Sequence, residues 1–129
     1  MDDSEFSDDF CRFLQTCITA VEVAEVVLFL RRNASRGHAP RDIAAGLRPG
    51  TALSEADAEK HVETLRACEL VVVDEEKRAR FHPASEALRT HADNLAAAYS
   101  ERPVTLIRMI YALRDAKIKT FADAFRIKR

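Results

Sequence analysis

Apolar residues return every three to four positions near the start of the chain, where Phe6, Phe10, Phe13, Leu14 and Cys17 share one side. That is the period of a helix with one buried stripe. The acids at its start suit the positive end of a helix dipole, so a first helix is predicted over 4–18. A second is expected from about Ala20 to Arg36, with Val23, Val26, Val27 and Leu30 on one face and Gly37 placed to end it. Its β-branched residues are indifferent helix formers, so packing must hold it helical.

Pro40 fits the first turn of a short third helix, Pro40 to Leu47, with Ile43, Ala44 and Leu47 facing inward. Pro49-Gly50 marks a turn. Ser54-Glu55-Ala56-Asp57 has the spacing of a capping box, and the fourth helix is expected to run to about Cys68 on Ala58, Val62 and Leu65. Leu70-Val71-Val72-Val73 is a β-branched run, Asp74 to Lys77 is polar, and Arg78-Ala79-Arg80-Phe81-His82 alternates. Residues 70–82 are therefore predicted to form a β-hairpin. Pro83 stops it, and Ser85 can cap a fifth helix from Glu86 to about Tyr99, with Leu88, Leu95 and Tyr99 inside. Pro103 opens a sixth helix bearing Val104, Ile107, Ile110 and Tyr111, and a separate short helix from about Lys117 carries Ile118, Phe121, Ala122 and Phe125.

A chain of 129 residues has room for one core, so a single domain over 1–129 is expected. The expected division is an N-terminal flanking helix (1–19), a core (20–84) and C-terminal helices (85–129), the last expected to be a dimerisation or partner region. The longest apolar run, Val26 to Leu30, falls far short of the roughly 20 residues that cross a bilayer. The acidic start lacks the basic segment of a secretory leader. Cys11, Cys17 and Cys68 are odd in number and have no CxxC spacing, so free thiols in a reducing cytoplasm are expected.

The net charge of -1 conceals three poles. Residues 1–10 carry five acids and no base; residues 54–76 carry eight acids against Lys60 and Arg66; residues 102–129 carry eight bases against Asp115 and Asp123. Poles of this kind bear on partners and steering, not on fold.

Helix, short helix, turn, capped helix and hairpin is the order of a winged helix-turn-helix. Residues 20–82 resemble the DNA-binding domain of small bacterial regulators of the MarR type. The segments that carry the resemblance are Asp42-Ile43-Ala44 with Leu47, Lys60-His61-Val62-Glu63-Thr64-Leu65, and Leu70-Val71-Val72-Val73. The chain is also similar to a stand-alone bacterial winged-helix group, through Ala97-Ala98-Tyr99-Ser100-Glu101-Arg102-Pro103-Val104 and Phe121-Ala122-Asp123-Ala124-Phe125-Arg126. What this implies is a mainly α fold, a winged helix-turn-helix core with flanking N- and C-terminal helices, and a cytoplasmic, non-catalytic DNA-binding transcription regulator. The same resemblance implies that the flanking helices build a homodimer.

Under it the fourth helix is the reader, with Lys60 and Thr64 toward bases. Arg41, Arg48 and the hairpin residues Lys77, Arg78 and Arg80 then hold the duplex backbone, helped by Arg36, His38 and Arg89. Glu55, Asp57, Glu59 and Glu63 on the same helix speak for a rival, an adaptor whose acidic helix binds a basic protein instead of DNA. The family usually ends this helix with Gly where Glu69 stands. A left-handed backbone there costs a residue with a side chain about 1 kcal/mol, so a different helix end is expected.

For the flanking helices, one reading packs the stripe Ile107, Ile110, Tyr111, Phe121 and Phe125 on Phe6, Phe10 and Phe13, within the chain or across a two-fold dimer. The other has the basic C-terminal helix touch a partner protein or a membrane surface. Catalysis finds no support: there is no phosphate-binding loop, no GxSxG and no HExxH. His38, His61, His82 and His91 are scattered with no metal-ligand spacing, so no metal and no cofactor is expected. His61 is expected to be a partly exposed helix residue and Cys68 a small core residue.

Overall fold

The computed structural model describes residues 6–47 and 53–127, with side chains through 115. It is mainly helical, with one small antiparallel sheet. Helix α1 (Asp8–Cys17) starts at Ser7, whose Oγ accepts from Phe10 N–H at 3.1 Å. Phe10, Phe13, Leu14 and Cys17 form its buried stripe. After a bend of 100° the chain enters α2 (Val21–Arg32), buried on most sides through Val23, Ala24, Val26, Val27, Leu28 and Leu30. That burial is what keeps so β-branched a segment helical, at about 1.5–3 kcal/mol for each large side chain enclosed. The helix ends earlier than expected. Asn33, not Gly37, closes it: its backbone N–H and its side-chain amide both donate to Phe29 O, at 3.1 and 2.8 Å.

Helix α3 (Pro40–Gly46) has Pro40 in its first turn and Ile43 fully buried. It lies so near α2 that a Cβ on Gly46 would overlap the Phe29 ring. Helix α4 (Glu55–Ala67) is capped by Ser54 Oγ, which accepts from Asp57 N–H at 3.0 Å, and buries Ala58, Val62 and Leu65 against α2 and α3. Glu69 does take the left-handed conformation (φ 66°), contrary to the expectation of a different helix end. Its N–H donates to Arg66 O at 2.9 Å, and Leu70 N–H donates to Leu65 O at 3.0 Å, the two bonds that close a helix through a left-handed residue. Burial of the Leu70 side chain holds the turn in place.

Strands β1 (Val71–Val73) and β2 (Ala79–Phe81) pair antiparallel, Val71 opposite Phe81 and Val73 opposite Ala79. On the far side of β2, His38 exchanges backbone bonds with Ala79, each 2.8 Å, and extends the sheet by one residue. Ser85 caps α5 (Glu86–Glu101) by accepting from Leu88 N–H. Helix α6 (Pro103–Ile127) is continuous where two helices were expected, because nothing between Arg114 and Lys117 breaks a helix.

The inward face of α6 is Leu106 and Ile110, with Leu113 and Met109 packed at its edge. Ile107 is half-buried and Tyr111 exposed, so the expected stripe was out of phase. Phe6, Phe10, Phe13 and Ile110 are buried within the chain. The side chains of Phe121 and Phe125 lie outside the described residues.

The free-thiol expectation is corrected at two positions. Cys17 and Cys68 form a disulfide with Cα atoms 6.0 Å apart; their sequence separation of 51 gives no local sign of it. Cys11, half-buried on α1, takes no part in that disulfide. No single helix among the described residues is long and apolar enough to cross a membrane.

Candidate nucleic-acid interface

Helix α4 turns one face into the core and the other outward. Ala58, Val62 and Leu65 are buried; Glu55, Asp57, Glu59, Lys60 and Glu63 are exposed. The cap at Ser54 and the left-handed turn at Glu69 fix both ends, so the outward residues ride on a rigid element. Thr64 is half-exposed, and its Oγ1 donates to the Lys60 carbonyl at 3.3 Å, which turns the hydroxyl back on its own helix.

The hairpin stands beside this face. Asp74 shapes its turn: one carboxylate oxygen accepts from the N–H groups of Glu76 and Arg78, both at 2.9 Å, and Lys77 takes a left-handed backbone (φ 64°). The bond from Arg78 N–H, with that from Glu76, holds the Asp74 carboxyl below its ordinary range.

Two of the three hairpin cations are met by acids. Lys77 Nζ lies 3.9 Å from Glu59 Oε2, and Arg78 reaches Asp74 at 3.2 Å and Glu76 at 2.5 Å. Arg66 on α4 is held by Glu63, whose carboxyl is drawn below its ordinary range by that hydrogen bond. Arg41, Lys60, Arg80 and Arg36 are exposed and have no ion pair among the described residues. Arg36, Arg78 and Arg80 line a groove of about 460 Å³ along the hairpin, floored by Val72 and Val73.

His38 is not the surface group the sequence suggested. It is buried, with Nε2 3.0 Å from the Asn33 carbonyl and its ring edge-on to Phe29. Arg48 lies outside the described residues. His61 is half-buried on α4, and desolvation lowers its pKa against the pull of Glu22 and Asp57.

A second, larger cavity of about 610 Å³ lies among α2, α3, α5 and the start of α6. Three of its polar side chains are engaged inside the chain: Tyr99 Oη donates to Glu25 Oε2 at 2.5 Å, and Arg31 pairs with Asp93 at 2.9 Å. Among the described residues no three His, Cys, Asp or Glu side chains come together as metal ligands do.

Sequence reasoning missed the engagement of Lys77 and Arg78 by acids. The Asp four residues before Arg78 was a readable signal, since Asp side chains commonly bind the backbone of their own turn. The Glu59 contact left none, because it joins two elements. No family model, curated protein or solved structure matches the chain.

Proposed function

We propose that the chain is a winged helix-turn-helix that binds duplex DNA and regulates transcription without catalysis. The outer face of α4 enters the major groove, and the hairpin, as the wing, rests on the backbone beside it. The observation that carries this reading is the geometry of α4: buried on one face against α2 and α3, exposed along the other from Glu55 to Glu63, and flanked by a hairpin whose tip lies 3.9 Å from Glu59. The His38–Ala79 pairing supports it, since it anchors the hairpin to the segment between α2 and α3.

Lys60 is the one base-reading cation on that helix, while Arg41, Arg36 and Arg80 serve the phosphates. Glu55 and Asp57 limit non-specific affinity by repelling the backbone, and an outward carboxylate selects for a cytosine amino group. A homodimer joined through the flanking helices would pair two such faces; α6, at 25 residues, far outruns the 10-residue α1 on which it packs.

Fluorescence anisotropy with mixed genomic duplexes at low ionic strength tests the proposal. Salt-dependent binding that weakens in Lys60→Ala and Arg80→Ala is expected. Absence of any salt-dependent shift refutes it.

The acid engagement of Lys77, Arg78 and Arg66 favours one rival, an adaptor whose acidic α4 face takes a basic protein segment. Reversal of Glu55, Asp57, Glu59 and Glu63 to Lys separates the two: it raises DNA affinity under the first reading and abolishes capture of a basic peptide under the second.

A further inference from the structure

The Cys17–Cys68 bond joins two parts of the fold that otherwise share little contact. Helix α1 packs on α6 and α5, whereas α4 packs on α3, α2 and β1, and α1 and α4 have no extensive packing of their own. Cys17 is the last residue of α1 and Cys68 is the cap residue that ends α4. The bond therefore closes a loop around α2, α3 and α4, the elements that carry the exposed face. Its two cysteines differ in exposure: Cys17 is buried, whereas Cys68 is half-exposed, its Sγ 3.9 Å from the Thr16 carbonyl. Immediately after Cys68 comes Glu69 in its left-handed conformation, which a residue with a side chain keeps only where the surroundings hold it there.

We propose that Cys17 and Cys68 form a reversible thiol–disulfide switch that pins the C-terminal end of α4 to α1 when oxidised and releases it when reduced. The reductant is a low-molecular-weight thiol. Its thiolate attacks the sulfur of the more exposed Cys68, the sulfur–sulfur bond breaks, and Cys17 leaves as a thiolate that takes a proton from solvent. A second thiolate attacks the outer sulfur of the mixed disulfide on Cys68, which releases Cys68 as a thiolate and forms the small disulfide. Two electrons pass from two thiols to the protein, and the reverse sequence with the small disulfide restores the bond. Release lets the last turn of α4 and the Glu69 turn fluctuate, so the outward residues of α4 lose part of their fixed geometry. Any effect on duplex binding rests on the reading of α4 proposed above; the switch itself does not.

The full chain, purified without reductant and equilibrated with oxidised dithiothreitol, is alkylated with iodoacetamide and weighed intact. One modified cysteine is expected, Cys11, rising to three after treatment with reduced dithiothreitol, and peptide mapping of the oxidised form is expected to recover the 17–68 link. Hydrogen exchange over 62–70 is expected to run at least about tenfold faster in the reduced chain, with the middle of α5 unchanged. Cys68→Ser is expected to behave as the reduced chain whether or not reductant is present. Three modifiable cysteines under oxidising conditions overturn the proposal, as does identical exchange over 62–70 in the two states. If exchange switches while neither state binds duplex DNA, the thiol switch stands and the DNA reading fails.

Discussion

Lys77 at the tip of the hairpin and Glu59 in the middle of α4 form an ion pair with Nζ 3.9 Å from Oε2. Both side chains are largely exposed, so the pair itself adds at most about 1 kcal/mol to stability. Its larger effect is on charge: it occupies a hairpin cation with an acid from the very face proposed to meet DNA. Glu59→Gln frees Lys77 and removes a repulsive carboxylate. Duplex affinity is expected to rise about three- to tenfold at low salt, with a steeper salt dependence, and thermal stability to change little. Anisotropy titrations at two or more salt concentrations measure this, and unchanged affinity would sink the idea.

Glu69 holds φ at 66°, where glycine bears no Cβ penalty. Glu69→Gly is expected to stabilise the chain by about 0.5–1 kcal/mol, after allowance for glycine's freedom in the unfolded state. Glu69→Val, branched at Cβ, is expected to destabilise by about 1 kcal/mol or more. Urea unfolding of the three proteins gives the order directly, and a Gly variant less stable than wild type contradicts the assignment of strain.

Elements announced by local chemistry were legible: Ser54 and Ser85 as caps, Pro40 in a first turn, Val71 to Val73 as a strand. Each signal sits within a few residues of what it controls. What escaped is non-local or balanced by packing. The Cys17–Cys68 pair, 51 positions apart, is set by the fold of the chain between them, and His38 joins the sheet as a single residue with no strand-like neighbours. The phase of α6 was misjudged because Leu106, Ile107, Ile110 and Tyr111 offer two overlapping stripes, and only packing against α1 and α5 selects Leu106 and Ile110. Exposure of the outward α4 residues followed from the amphipathic period, whereas neutralisation of Lys77 depended on how the hairpin leans.

Asp74 bonds two backbone N–H groups within its own turn and holds the Arg78 side chain. Asp74→Ala removes all three contacts and is expected to speed amide exchange at Glu76 and Arg78 while leaving α5 protected. Because the carboxyl is held below its ordinary range, the turn is firmest above that range and loosens as pH falls through the depressed value. Exchange at Glu76 and Arg78 in wild type is accordingly expected to quicken, relative to a reference peptide, at strongly acidic pH; in Asp74→Ala this acid dependence disappears. Equal protection in the two proteins would show that the turn does not depend on Asp74.

Gly46 allows α3 to lie against α2, because a Cβ there would overlap the Phe29 ring. Gly46→Ala is expected to cost about 1–3 kcal/mol despite alanine's better helix propensity, as the crowding outweighs it. Since α3 is the helix on which α4 packs most heavily, duplex affinity should fall with it. Shortening the ring with Phe29→Leu is expected to recover part of the loss in the double variant. A thermodynamic cycle over the four proteins tests the coupling, and strict additivity would deny the contact.

His61 titrates below its ordinary value of 6.5 chiefly because burial on α4 penalises the imidazolium; Glu22 and Asp57 pull the other way, and Lys60 adds to the depression. The folded chain therefore binds this proton less readily than the unfolded chain. Stability from this group is complete above about pH 6.5, declines as pH falls below that point, and levels off once pH passes the depressed folded value. His61→Gln, which cannot take up the proton, is expected to show a shallower loss of stability between about pH 6.5 and 5. The comparison between the two proteins isolates this residue from His38, His82 and His91, which both retain. Urea midpoints at three pH values across that window measure the slopes, and parallel slopes would mean that the ring is solvated and that α4 does not bury it.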